Sequence, residues 1–256
     1  MSWTHVSLHD RDRVAVVAMR RTKGGNALSR EVCDDLVAGL TDAVASGARA
    51  VVLLSEADHF CVGADLRERS TLDDDGLLEA REHSNALTAA LLGCPVPLVV
   101  AVHGFTLGGG LEIALTADVV VADSSAVLGL PEVGIGIVPG GGGTQLLSRR
   151  VGWGTASSMI YTGRRVTADD ALRVGLVDEV VAVGRSGAAA IELASLIAAN
   201  NPQSLRLVKH AMTSGQGRPQ AEALAIEDAA WQRAALSDDY RQGLAAFAER
   251  TAPPWA

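Results

Sequence analysis

Lysine is nearly missing from this chain: Lys23 and Lys209 are the sole lysines among 22 basic residues, and the rest are arginine. That bias matches codon usage in a GC-rich genome and says nothing about mechanism. Cysteine is scarce too. Cys33, Cys61 and Cys94 are scattered with no C-x-x-C, which gives no metal framework and suits a reducing compartment. No apolar run approaches the ~20 residues of a membrane span. The opening MSWTHVSLHDRDRV is charged throughout and has no apolar h-region, so no signal peptide and no membrane partner are expected, and the expected location is cytoplasmic. Phosphate-loop and hydrolase signatures are absent as well: there is no G-x-x-x-x-G-K-[ST], no H-E-x-x-H and no G-x-S-x-G. The formal net charge of -8 argues against a nucleic-acid partner.

What remains is a globular composition, 48% hydrophobic and 20% charged over 256 residues, enough for one large core with or without a helical appendage. Val6 to Met19 reads as a hairpin, an alternating strand and a β-branched strand around a polar turn. Leu28 to Ser46 reads as an amphipathic helix capped by Ser29, with Val32, Leu36, Leu40 and Val44 on one face. Ala48 to Glu56, Val96 to Gly104 and Asp118 to Asp123 read as buried strands, and a long helical region ends near Gly93. Strand and helix alternate through two thirds of the chain, which predicts a βα core. Past Gly175 to Val183 four helical patterns follow, near 187–200, 202–214, 219–236 and 238–250. Asn201-Pro202 and Thr167 with Asp170 look like helix starts. The expected division is a catalytic core over 1–195 and a helical region over 196–256.

Two glycine clusters precede helices, LGGGLE at 107–112 and PGGGGTQ at 139–145. Free N–H groups at a helix start attract negative charge, and glycine lets a ligand approach the backbone closely. A Gly109 N–H aimed into a pocket would stabilise an oxyanion forming on a carbonyl. Glu112 lies one turn further on the same face. Its neighbours Leu111, Ile113, Ala114 and Leu115 are apolar, and positions 108 and 116 offer no cation, so an idle glutamate there would be costly. Glu132, in GLPEVGIG, is a second carboxylate. Two glutamates and an oxyanion site are the parts for acid–base chemistry beside a thioester carbonyl.

Four ordered motifs carry a resemblance: RTKGGNALS, HFCVGADL, AVHGFTLGGGLEIALTADVVVAD and GLPEVGIGIVPGGGGTQLLSRRVG. Together they resemble the enoyl-CoA hydratase/isomerase, or crotonase, superfamily over nearly the whole chain. The resemblance implies an α/β crotonase (ClpP-like) fold, a repeated ββα spiral core with a helical C-terminal region that builds homotrimers or homohexamers. It implies hydration of a trans-2-enoyl-CoA to a 3-hydroxyacyl-CoA, in fatty-acid or related acyl-CoA metabolism. Glu112 and Glu132 match the catalytic glutamates, Glu112 mainly as the base that activates water and Glu132 mainly as the acid. The oxyanion hole matches the backbone N–H groups of Val62 and Gly109. The acyl-CoA substrate is expected against Lys23, Gly25, Ala27, Val62, Gly63, Ala64, Asp65, Leu66 and Gly109, with Lys23, Arg67, Arg69 or a neighbour's arginine at the CoA phosphates. No metal and no cofactor beyond the substrate's own CoA is implied. Family isomerases commonly keep one of the two glutamates, so the pair favours a hydratase over an isomerase, decarboxylase or thioester hydrolase, and over an RNA-binding scaffold. Cys61 and Val62 are bulkier than the alanines common in that loop, Thr22 replaces a common proline, and Gln242 a common glutamate.

Plainer readings fit the remaining candidates. Asp65 is expected as an N-cap, His103 as a strand-end packing residue, and Cys61 as a core residue without an activating base. His5 and His9 share a strand face by chance, and Asp73 to Asp75 form a loop or helix start.

Overall fold

The computed structural model describes residues 3–256. Among the described residues nine strands are present: β1 Val6–Arg11, β2 Val14–Met19, β3 Ala50–Ser55, β4 Leu98–Val102, β5 Phe105–Leu107, β6 Val119–Asp123, β7 Val127–Gly129, β8 Arg165–Thr167 and β9 Glu179–Val181. The first seven helices are α1 Arg30–Ala45, α2 Leu66–Arg69, α3 Asp74–Leu92, α4 Gly109–Leu115, α5 Gly143–Val151, α6 Trp153–Thr162 and α7 Ala168–Arg173. Four more close the chain: α8 Ser186–Ala198, α9 Pro202–Gly215, α10 Gln220–Ala235 and α11 Asp238–Glu249. A short 3-10 turn spans Glu132–Ile135.

The larger sheet has strand order β1-β2-β3-β4-β6-β9, with β1 antiparallel to β2 and every other pair parallel. Its central strands are covered on both faces, which is why they read as continuous β-branched runs and not as alternating ones. One face, with Val17, Val51, Leu53, Leu98 and Val100, packs into the main core under α1. The other, with Val16, Ala50, Val52, Val99 and Ala101, meets Ala190, Ala194 and Ala198 of α8. Alanine every fourth residue gives α8 a flat stripe that lies close on the sheet. The expected 195/196 division therefore falls inside a helix that covers the core sheet.

The smaller sheet, β5-β7-β8, holds the second strand of successive ββα turns. Thus β4 leads through β5 into α4, and β6 leads through β7 into the 3-10 turn. The earlier turn is marked by a single bridge between Cys61 and Thr106. This two-sheet spiral followed by C-terminal helices is the architecture that the sequence resemblance implies. The caps stand where the sequence signals them. Ser29 accepts the Val32 N–H, Thr167 the Asp170 N–H and Asn201 the Ser204 N–H. Asp73 caps α3, so the acidic run is a helix start.

The C-terminal helices are tied down by polar bonds. Lys209 of α9 is buried, and its Nζ donates to the Val96 carbonyl at 2.8 Å and to Asp118 at 2.7 Å. Asp118 also accepts the Leu98 N–H. Asn201 donates to Asp239 of α11 at 2.8 Å. Among the described residues, no helix is long and apolar enough to cross a membrane.

Candidate active site

The first glycine cluster turns β5 into α4 in almost no space. Gly108 has φ of +51°, a conformation side chains rarely adopt, and a Cβ there would stand 3.0 Å from Glu132 Oε1. A Cβ on Gly110 would fall 2.2 Å from the Cys61 carbonyl oxygen. Close approach of α4 to the 61–64 loop thus requires this glycine. Gly109 begins α4, so its N–H has no intrahelical acceptor.

The 61–64 loop is held from the other side by Asn26, fully buried. Its Nδ2 donates to Ser55 Oγ and to the His59 and Phe60 carbonyls at 2.7–3.2 Å. The Leu28 N–H then donates to the Gly63 carbonyl, and the Asp65 N–H to the Leu28 carbonyl. This pairing corrects the expected oxyanion hole. The Val62 N–H donates to the Gly25 carbonyl at 3.1 Å and is not free. The Ala64 N–H has no acceptor among the described residues. It lies beside α4: a Cβ on Gly109 would be 3.9 Å from the Ala64 nitrogen, and one on Gly63 3.4 Å from the Gly109 nitrogen. The two unengaged N–H groups at this point are those of Ala64 and Gly109.

Both glutamates reach the same cavity, of about 610 Å³. Glu112 is buried, and its Oε1 accepts the Gly143 N–H, at the start of α5, at 2.8 Å. The second glycine cluster makes room for it: a Cβ on Gly141 would stand 2.7 Å from Glu112 Oε2. Glu132 enters from the 3-10 turn, and its buried Oε2 has no hydrogen-bond partner among the described residues. Burial pushes the Glu132 carboxyl above the usual glutamate range, and the nearby Glu112 charge adds to the rise. One carboxylate is therefore anchored by a main-chain donor, and the other is inclined to keep its proton.

Val62, Gly63, Ala64, Leu66, Gly109, Glu112 and Glu132 all line this cavity. Lys23, Gly25, Ala27 and Asp65 do not. Lys23 is exposed on the preceding turn. Gly25 and Ala27 support the site through their carbonyls, which accept from Val62 and Arg21. Asp65 caps α2 and pairs with Arg21 at 2.7 Å. Against the upward pull of burial, Arg21 and the N–H groups of Glu68 and Arg67 hold its carboxyl below the usual range. Cys61 is fully buried, its thiol pushed up to about 12 by burial, which fits packing and not nucleophilic chemistry. His103 donates to the Ala57 carbonyl. His5 contacts Glu31 and His9 contacts Ser7 and Glu56, and no metal-binding cluster occurs among the described residues.

Sequence reasoning missed the wall formed by α3. Arg81, Ser84 and Thr88 face the cavity at helical spacing, with Leu87 beside them. The polar set at i, i+3 and i+7 was a visible signal, hidden because the surrounding helix is polar on most sides.

Comparison with known proteins places the chain in a family. The enoyl-CoA hydratase/isomerase family model matches residues 9–256. YngF of Bacillus subtilis, named for the same family, is 42% identical over 241 residues, 93% of each chain. The short-chain-enoyl-CoA hydratase of Clostridium acetobutylicum is 36% identical over 255 residues, 98% of this chain and 97% of its own. The crystal structure of an enoyl-CoA hydratase from Bacillus anthracis superposes with a TM-score of 0.94 at 35% identity, covering 98% of both chains. On the family match over almost its whole length and these similarities, the chain belongs to the enoyl-CoA hydratase/isomerase, or crotonase, family.

Proposed function

We propose that this crotonase-family acyl-CoA enzyme is an enoyl-CoA hydratase, adding water across a trans-2-enoyl-CoA to give a 3-hydroxyacyl-CoA. One observation carries the reading: two glutamates from separate turns of the spiral line one cavity with two unengaged main-chain N–H groups. Attack on C3 of a conjugated thioester moves electrons onto the thioester oxygen. The Ala64 and Gly109 N–H groups receive that oxygen as it gains charge, and losing one such donor typically costs ~3 kcal/mol of transition-state stabilisation.

Water is a poor nucleophile, so a base must take its proton as the C3–O bond forms. Glu112 suits that role because Gly143 fixes one oxygen and leaves the other for water. Glu132 suits the delivery of a proton to C2, because burial favours its protonated form. The net change is one water added, its oxygen at C3. The pair ends with the proton exchanged between the two carboxyls, and its return, directly or through solvent, restores the site. CoA enters as part of the substrate, and the chemistry calls for no further cofactor.

The test is the conjugated enoyl-thioester absorbance of a chain-length series of trans-2-enoyl-CoAs. The expected result is loss of absorbance with a product heavier by one water. Unchanged absorbance across the whole series overturns the proposal and directs attention to 3-enoyl-CoAs and malonyl-type thioesters.

A further inference from the structure

The cavity carries an unusual charge. Leu66, Leu87, Ile135 and Val138 supply an apolar wall, as a hydrocarbon chain requires, but Arg69 and Arg81 line it as well. Neither guanidinium has a hydrogen-bond acceptor or a carboxylate partner among the described residues. Four acids of the neighbouring segments are already paired: Glu68 and Glu79 with Arg30, Asp34 with His83, Asp65 with Arg21. On α3 itself the positions three and four residues from Arg81 are Leu77, Leu78, Ser84 and Asn85, so no helical ion pair forms. The hydroxyls of Ser84 and Thr88 donate to main-chain carbonyls.

Arg81 is also close to the chemistry. Its Nη1 lies 3.0 Å from the Cβ position of Gly140, and Glu112 Oε2 lies 2.7 Å from that of the next residue, Gly141. With consecutive Cα atoms ~3.8 Å apart, the guanidinium stands within about 13 Å of the catalytic carboxylate. A short acyl chain leaving C3 spans that distance. An unpaired guanidinium beside a wholly hydrocarbon chain would lose hydration and gain nothing, whereas a carboxylate would meet it with charge-assisted, bidentate bonds.

We infer that the acyl chain of the preferred substrate ends in a carboxylate, so that the substrate is the mono-CoA thioester of a short unsaturated dicarboxylic acid, held at its far end by Arg81 with Arg69 as the second cation. This inference rests on the hydratase reading for the double bond it places at Glu112 and Glu132, and its test separates the two. Binding is measured by calorimetry with saturated acyl-CoAs of matched length, with and without the terminal carboxylate, for wild type and Arg81→Met. Hydration is measured on the corresponding trans-2-enoyl-CoAs.

The expected result is tighter binding of the carboxylated ligand to wild type, and a fall of that preference by roughly 10–100-fold in Arg81→Met. The ratio of kcat/KM between the two enoyl-CoAs falls with it. Equal affinity of wild type for the two ligands overturns the inference. So does an Arg81→Met variant that weakens both equally, since Arg81 would then serve the CoA moiety. Carboxylate-selective binding that depends on Arg81, with no hydration of either enoyl-CoA, supports the inference and overturns the hydratase reading alone.

Discussion

The 61–64 loop shows what one main-chain hydrogen bond decides. Val62 and Ala64 both belong to the F-x-x-G-A-D-like segment, and the motif alone does not tell which N–H is free. That depends on pairing with residues 25–28, which takes the Val62 N–H and leaves that of Ala64. Ala64→Pro removes the N–H without breaking a protein hydrogen bond. The expected outcome is a kcat lower by about 10²–10³-fold with acyl-CoA binding retained, read by kinetics and calorimetry. Near-wild-type turnover would return the donor role to Val62. Glu132 gives a second prediction. Its folded-state pKa is raised, so its contribution to stability is complete below the unfolded-state value and is lost as pH rises through the folded value. Glu132→Gln cannot ionise and escapes that loss. Urea titrations from acid to neutral pH should show the variant gaining stability relative to wild type, and a constant difference would contradict the buried-carboxyl account. The two glutamates were legible because each stands in an ordered motif. Arg81 was not, because a cation on a polar helix carries no mark of the cavity it faces.

At the level of elements, periodicity and caps were enough to place the long pieces. The hairpin, α1 with its Ser29 cap, and the four C-terminal helices stand within a few residues of where the pattern puts them. The three-residue strands β5, β7 and β8 were not legible, since alternation cannot be read over so few positions. Yet β5 delivers the chain to Gly108 and α4, so the smaller sheet sets the site. The division at 195/196 followed a change from mixed to helical pattern. It could not register that α8 offers alanines to the sheet and so covers the core. One buried tie between the C-terminal helices and that sheet is Lys209, one of the two lysines. Lys209→Met leaves the Val96 carbonyl and Asp118 without their partner. Asp118 is partly open to solvent, which limits the penalty, and a loss of about 2 kcal/mol in a urea titration is expected. An unchanged midpoint would mean that the Lys209 bonds contribute nothing net to holding α9.

Large apolar side chains stand exposed on and beside the C-terminal helices: Met212 is 72% exposed, Leu236 76% and Phe247 85%. We propose that these surfaces are covered by further copies of the chain, as trimers or pairs of trimers. Sedimentation at micromolar concentration should give a mass of three or six chains, and a monomer at all concentrations would refute it. Hydration is proposed to take place in the cavity where the turns of the spiral meet, by two carboxylates from different turns acting together. Its most direct measurement is the rate of enoyl-thioester loss, with product mass, for wild type, Glu112→Gln and Glu132→Gln. This mechanism requires hydration by wild type and a fall in kcat of at least about 10²-fold in each variant, both folded and still binding acyl-CoA. Either variant turning over at close to the wild-type rate would contradict it.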